Sequence, residues 1–69
     1  MNSLNDIVRI NIKKYRIKKG LSQEALGLLT GIHRSYVGFI ERGEKPINLN
    51  HLQKIVKALE MKVPDLFKE

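Results

Sequence analysis

The excess of basic side chains is the feature of this sequence that most clearly predicts a binding chemistry. The 69 residues include 13 lysines and arginines against 7 aspartates and glutamates, which gives a formal net charge of +6. Each contact between a cationic side chain and a phosphate releases counterions and therefore strengthens the binding of a polyanion. The charge favours a polyanionic partner, and the alternative is a basic surface that serves only solubility.

Side chains that commonly catalyse reactions or bind metals are few and scattered. The absence of cysteine excludes a disulfide framework and a thiolate metal site. His33 and His51 lie in different predicted helices without a set of acidic partners, so we expect no metal site. Ser22 and Ser35 have no acidic partner in sequence, and no glycine-rich loop could cradle a phosphate. We therefore expect neither enzymatic activity nor a cofactor.

The length and composition predict one small folded domain over residues 1–69. A hydrophobic fraction of 42% is sufficient for a globular core. The N-terminal part has no long apolar run, so we expect neither a signal peptide nor a membrane span. These features, together with the lack of cysteine, predict a cytoplasmic protein.

Hydrophobic periodicity predicts an all-α fold of four helices and a short fifth. We expect the helices at residues 3–19, 23–30, 34–42 and 49–60, with a final turn of helix from residue 64. The expected N-caps are Ser3, Ser22, His33 and Asn48. The residues expected to face the core are Leu4, Val8, Ile12, Tyr15, Leu26, Leu29, Ile32, Val37, Ile40, Leu49, Leu52, Ile55, Val56 and Leu59. A second stripe in the first helix either widens the core contact or binds a partner: Ile7, Ile10 and Ile17.

The second and third helices have the spacing of a helix-turn-helix. Gly31 suits the tight turn between them, and Gly27 suits the point where the third helix crosses the second. Four apolar residues are placed to lock one helix against the other: Leu26, Ile32, Val37 and Ile40. The spacing predicts a device that presents the third helix to DNA.

Four segments of the chain match a known family pattern. They are Gly20-Leu21-Ser22-Gln23-Glu24, Gly31-Ile32, Ile40-Glu41-Arg42-Gly43 and Leu52-Gln53-Lys54-Ile55 with Ala58-Leu59. Through them the chain resembles the lambda-repressor-like, Cro-type helix-turn-helix regulators over nearly its whole length. The run Arg34-Ser35-Tyr36-Val37-Gly38 is most similar to the controller proteins of restriction–modification systems. Gly27 departs from the family pattern, which usually has alanine there.

The resemblance implies a role for the first residues of the third helix in the major groove. Arg34 would make a bidentate contact with guanine, which is worth roughly 1–3 kcal/mol of discrimination against other bases. Ser35 would read bases weakly, and Tyr36 would pack on a thymine methyl group or bind the backbone; alternatively, Tyr36 only covers the core. Gly38 would leave room for close approach to DNA, whereas Phe39 receives no clear role.

The resemblance also implies a set of contacts to the DNA backbone. The expected phosphate-binding residues are Gln23, His33, Arg42, Lys45 and Asn48. We expect Arg16 and Glu41 to form a structural ion pair that ties the first helix to the third, and the family has a similar pair.

One recognition helix reads only about four or five base pairs, so regulators of this class pair to read two successive major grooves. The expected dimer surface is an exposed apolar patch in the C-terminal third: Val63, Leu66 and Phe67. The alternative is that these residues only complete the core of the monomer. Tetramers on adjacent sites and contact with RNA polymerase are further partners to expect.

The leading interpretation is a homodimeric, sequence-specific transcription regulator of the controller type. It would bind an inverted-repeat operator and regulate its own promoter and a neighbouring nuclease gene. Two alternatives in the same fold are a phage-type repressor and the DNA-binding module of an antitoxin. A third, of another class, is a protein–protein adaptor that does not read DNA.

Overall fold

A computed structural model of the chain describes residues 3–69, which form four α-helices and one 3-10 helix. The elements are α1 (Leu4–Lys18), α2 (Gln23–Thr30), α3 (Arg34–Arg42), α4 (Leu49–Ala58) and the 3-10 helix (Val63–Phe67). Residues 3–69 include no β-strand, so the predicted all-α class is confirmed. Within the same range, no helix is both long and apolar enough to cross a bilayer.

The four predicted N-caps are confirmed, and they explain where the helices begin. Ser3, Ser22 and Asn48 each accept a hydrogen bond from the backbone N–H three residues later. His33 accepts through Nδ1 from the N–H of Ser35. The helix ends differ slightly, because α4 stops at Ala58 and not at residue 60. Glu60, with φ 54°, has already left the helical region.

The crossing of α2 and α3 depends on the absence of a side chain at Gly27. A Cβ atom at this position would lie 2.5 Å from the carbonyl oxygen of Ile32 and 3.3 Å from the backbone nitrogen of Arg34. Backbone atoms cannot move aside without separating the two helices. Gly31 then turns the chain with φ 75°, a conformation that residues with a Cβ rarely adopt.

Gly27→Val is therefore expected to destabilise the fold by roughly 1–3 kcal/mol, the usual cost of overpacking. Urea unfolding followed by circular dichroism measures the change. Leu28→Val is the matched control, since it places the same side chain on the next residue, which is 81% exposed. The control should change stability by less than about 0.5 kcal/mol. Equal stability of both variants would contradict close helix approach at Gly27.

One hydrophobic core lies between the helices. Its buried residues are Val8, Ile12, Leu26, Ile32, Val37, Ile40, Ile55, Leu59, Met61 and Leu66. Three leucines expected there are instead exposed. Leu4 and Leu49 are the first residues of their helices, where no neighbouring element covers them. On α2, Thr30 is buried and Leu29 is not. The Thr30 hydroxyl tolerates burial because it donates to the carbonyl of Leu26 at 2.8 Å.

The C-terminal segment is fastened to α1 by a buried asparagine, a contact that hydrophobic periodicity does not predict. Nδ2 of Asn11 donates to the carbonyl oxygens of Leu66, at 2.9 Å, and Lys68, at 2.7 Å. Leu66 is only 3% exposed. The expectation that Leu66 belongs to an exposed patch is therefore wrong, because its side chain completes the core of this chain.

Candidate DNA-binding interface

The first turn of α3 is fixed by its cap and leaves two of the predicted base-reading residues exposed. Nδ1 of His33 lies 3.1 Å from the backbone nitrogen of Ser35 and 2.7 Å from its hydroxyl. Arg34 and Ser35 are both exposed. A short helix with exposed polar side chains in its first turn can present them to the edges of bases in a major groove.

Arg34 is held by an acidic partner from the preceding helix. Its Nη1 donates to Oε2 of Glu24 at 2.6 Å, and both side chains are about two-thirds exposed. An ion pair in this setting stabilises the fold by less than about 1 kcal/mol, so a stronger partner can replace it. The pair orients the guanidinium without locking it.

Tyr36, the third predicted base-reading residue, is half-buried. Its hydroxyl donates to the carbonyl oxygen of Pro46 at 3.2 Å. Its ring meets the ring of His51 edge-on, with centroids 5.1 Å apart and planes at 71°. The side chain thus packs against the core and against the linker between α3 and α4, residues 43–48. Its backbone follows Arg34 and Ser35 in the first turn of α3.

Phe39 supports two of the predicted phosphate-binding cations. The guanidinium of Arg42 lies 5.3 Å from the centre of the Phe39 ring, and the ammonium of Lys45 lies 6.0 Å from it. Such contacts restrict long cationic side chains that would otherwise be mobile. Arg42 also donates to Glu44 at 2.5 Å. Phe39, which has no clear role in the sequence pattern, therefore positions positive charge at the end of α3.

Gln23 and Gly38 lie next to each other and to polar side chains of α3. Nε2 of Gln23 donates to Oε1 of Glu41 at 3.1 Å. A Cβ at Gly38 would lie 3.2 Å from the side-chain oxygen of Gln23 and 3.0 Å from Arg42. Gly38 is therefore buried beneath two polar side chains, and the expectation that it leaves room for close approach to DNA is wrong. Its lack of a side chain makes room for these two neighbours.

A buried ion pair joins α1 to α3 behind this surface. Nε and Nη2 of Arg16 donate to the two carboxylate oxygens of Glu41 at 2.7 and 2.9 Å. The Glu41 side chain is only 2% exposed, and that of Arg16 is 10% exposed. Arg16 also donates to the carbonyl of Leu21 at 2.7 Å. The paired groups satisfy one another, so the pair fixes the orientation of the recognition helix relative to α1.

The remaining predicted contact, Asn48, lies at the start of α4. Its side-chain oxygen caps that helix by accepting from the N–H of His51 at 2.7 Å, which leaves its amide N–H groups for other partners. Asn48 is exposed and next to the linker that holds Lys45. Among residues 3–69, no group of three acidic, histidine or cysteine side chains could hold a metal ion.

One group of exposed apolar side chains lies on α1 and the 3-10 helix. Val63 is 64% exposed and Phe67 is 44% exposed, as are Ile10 and Ile17 at 45% and 58%. Asp65 fixes the start of the 3-10 helix by accepting from the N–H of Lys62 at 2.9 Å. This hydrogen bond, followed by that from Lys68, lowers the pKa of Asp65. Of the second stripe on α1, Ile10 and Ile17 are surface residues that do not widen the core, whereas Ile7 is half-buried.

The structure brings the predicted DNA contacts together in two groups. One group lies at the start of α3, where His33 precedes Arg34, Ser35 and Tyr36. Gln23 lies farther along α3, beside Gly38 and Glu41. The other follows the end of α3 into the linker and α4, with Arg42, Lys45 and Asn48. Three of these residues have side-chain partners: Glu24 for Arg34, Glu44 for Arg42 and His51 for Tyr36. Hydrophobic periodicity does not predict such partners, because it indicates only which apolar residues share a helix face.

Comparison with known proteins shows a family and a common structure. The family model HTH_3, described as helix-turn-helix, matches residues 12–66. The control protein C.SmaI of Serratia marcescens is 40% identical over 63 residues, which are 91% of this chain and 75% of that protein. The crystal structure of the restriction-modification controller protein C.AhdI from Aeromonas hydrophila has a TM-score of 0.81 at 41% identity. That match covers 90% of this chain and 97% of the other.

A second solved structure is C.Esp1396I bound to a 25 base pair operator site. It has a TM-score of 0.83 at 33% identity and covers 97% of this chain and 88% of that one. The matched region includes both helices of the predicted DNA-reading device. The chain belongs to the HTH_3 helix-turn-helix family, the Cro and lambda-repressor-like regulators, and resembles the controller proteins of restriction–modification systems.

Proposed function

We propose that this protein is the controller protein of a restriction–modification system, a transcription regulator that binds an inverted-repeat operator as a homodimer. The observation that carries the proposal is the exposed first turn of α3, in which Arg34 and Ser35 extend from a helix held by buried contacts. The similarity to C.Esp1396I, which binds an operator site, supports the same interpretation.

The proposed division of labour follows the two groups of side chains. Arg34, Ser35 and Tyr36 contact base edges, because they lie in the first turn of the recognition helix. The backbone contacts come from Gln23, His33, Arg42, Lys45 and Asn48. In this proposal the protein acts by binding alone, without catalysis or a cofactor, on chromosomal DNA in the bacterial cytoplasm.

The test begins with selection of bound duplexes from a random pool, which gives the preferred sequence and the half-site spacing. Fluorescence anisotropy then compares the selected duplex with a scrambled duplex of the same composition at physiological salt. We expect the selected duplex to bind about a thousandfold more tightly, as specific regulators do. Equal affinity for the two duplexes would overturn the proposal and favour a partner other than DNA.

The proposed dimer surface uses Val63 and Phe67, the two exposed apolar side chains of the 3-10 helix. A 69-residue chain has little core of its own, and pairing would cover these side chains and add stability. Two copies would place two α3 helices in successive major grooves about 34 Å apart. Tetramers on adjacent operators and contact with RNA polymerase would follow from dimers of this kind.

Phe67→Ala is expected to weaken dimerisation by about tenfold or more, because large aromatic side chains dominate most protein interfaces. Sedimentation equilibrium over a range of concentrations measures the change. Leu28→Ala is the control, since Leu28 is 81% exposed and lies on α2, away from the proposed surface. A Phe67→Ala protein that dimerises as well as the Leu28→Ala protein would exclude this surface.

A further inference from the structure

The contact between Tyr36 and His51 joins the recognition helix to the first turn of α4. The two rings meet edge-on with centroids 5.1 Å apart. Nδ1 of His51 is buried and has no hydrogen-bond partner among residues 3–69. The Tyr36 ring is the aromatic group against which the imidazole packs.

Tyr36 is held at two points by segments outside its own helix. His51 contacts the ring from α4, and the carbonyl of Pro46 accepts from the hydroxyl in the linker. By contrast, Arg34 is held through one exposed ion pair to Glu24. The orientation of the Tyr36 side chain is therefore fixed more firmly by the tertiary structure than that of the Arg34 side chain.

We propose that His51 is a positioning residue that fixes Tyr36 for base recognition, so that part of the sequence preference is set from α4. This inference rests on the proposed function, in which Tyr36 contacts DNA. Without the imidazole, the tyrosine ring gains freedom to rotate, and the base pairs that face it are read less selectively. Base pairs read by Arg34 keep their preference.

The first measurement is a double-mutant cycle on the selected duplex and on duplexes altered at each base pair of one half-site. From the usual energy of an aromatic pair, we expect His51→Ala to weaken binding to the selected duplex by roughly three- to tenfold. It should flatten the preference at the same base pairs as Tyr36→Ala. In the Tyr36→Ala background, His51→Ala should have almost no further effect, because the contact is already lost.

His51→Phe and Gln53→Ala separate positioning from general damage to the fold. The phenylalanine keeps an aromatic edge beside Tyr36 and is expected to retain most of the base preference. Gln53 is exposed on the same helix, so Gln53→Ala should bind as the unaltered protein does. Circular dichroism at the assay temperature verifies that each variant is folded.

A second measurement needs no DNA. The chain has two tyrosines and no tryptophan, so a Tyr15→Phe background leaves Tyr36 as the only fluorescent side chain of this kind. In that background, His51→Ala should lower the steady-state anisotropy of Tyr36 emission, and His51→Phe should lower it less. The inference would be overturned by an unchanged anisotropy, or by a loss of binding that persists in full when Tyr36 is alanine. If the unaltered protein fails to prefer the selected duplex, the proposed function fails instead.

Discussion

Arg34→Ala is expected to weaken binding to the selected operator by about 5- to 150-fold, which corresponds to the roughly 1–3 kcal/mol of a good bidentate base contact. The exposed guanidinium in the first turn of α3 is the group best suited to guanine, which presents two acceptors in the major groove. Binding to the scrambled duplex should fall much less. Anisotropy titrations with both duplexes give the ratio, and an unchanged ratio would remove Arg34 from base recognition.

Two matched variants separate base reading from charge. Lys45→Ala removes one positive charge outside the recognition helix and should weaken binding to both duplexes alike, with a salt dependence shallower by about one ion. Glu24→Gln removes the partner of Arg34 and one negative charge beside the DNA, so it should tighten binding to the scrambled duplex. If Lys45→Ala alters the ratio as strongly as Arg34→Ala, charge alone explains both effects.

Glu41→Ala is expected to destabilise the fold by about 3–5 kcal/mol, because it leaves the buried guanidinium of Arg16 without its carboxylate. Since small domains have a total stability of about 5–15 kcal/mol, the variant will be close to unfolding. Gln23 also loses its acceptor, which adds to the cost. Urea unfolding of the variant and the unaltered protein measures the difference.

The double variant Arg16→Met with Glu41→Leu is the control for that experiment. Replacing both partners by apolar side chains of similar size removes the unpaired charge, and such replacements are often neutral or stabilising. We therefore expect the double variant to recover most of the stability that Glu41→Ala loses. A double variant as unstable as the single one would mean that the pair is needed for more than mutual charge neutralisation.

Local chemistry was sufficient to place the helices. Ser22 and Asn48 start α2 and α4 through hydrogen bonds to N–H groups one turn away, and Gly31 and Gly43 end α2 and α3 with positive φ. These interactions join residues close in sequence, so the pattern of residue types contains them. The same holds for the spacing that predicted the helix-turn-helix and for Gly27 at its crossing.

Burial required the tertiary structure. Periodicity places Leu26 and Leu29 on one helix face, but it does not determine which of them another element covers. The core covers Leu26 and leaves Leu29 62% exposed. Leu66 shows the reverse, since α1 and its Asn11 hold the C-terminal segment so that this side chain points inward. An apolar residue is buried only where a second element lies opposite, and a one-dimensional pattern does not contain that information.

The sequence by itself determined the all-α class, the helix-turn-helix and the residues at the start of α3. Only the tertiary structure decided how those residues are held: Arg34 by Glu24, and Tyr36 by His51 and Pro46. Caps and turns arise from groups within one turn of each other. Most of the side-chain partners come from separate elements, and the packing of those elements brings them together.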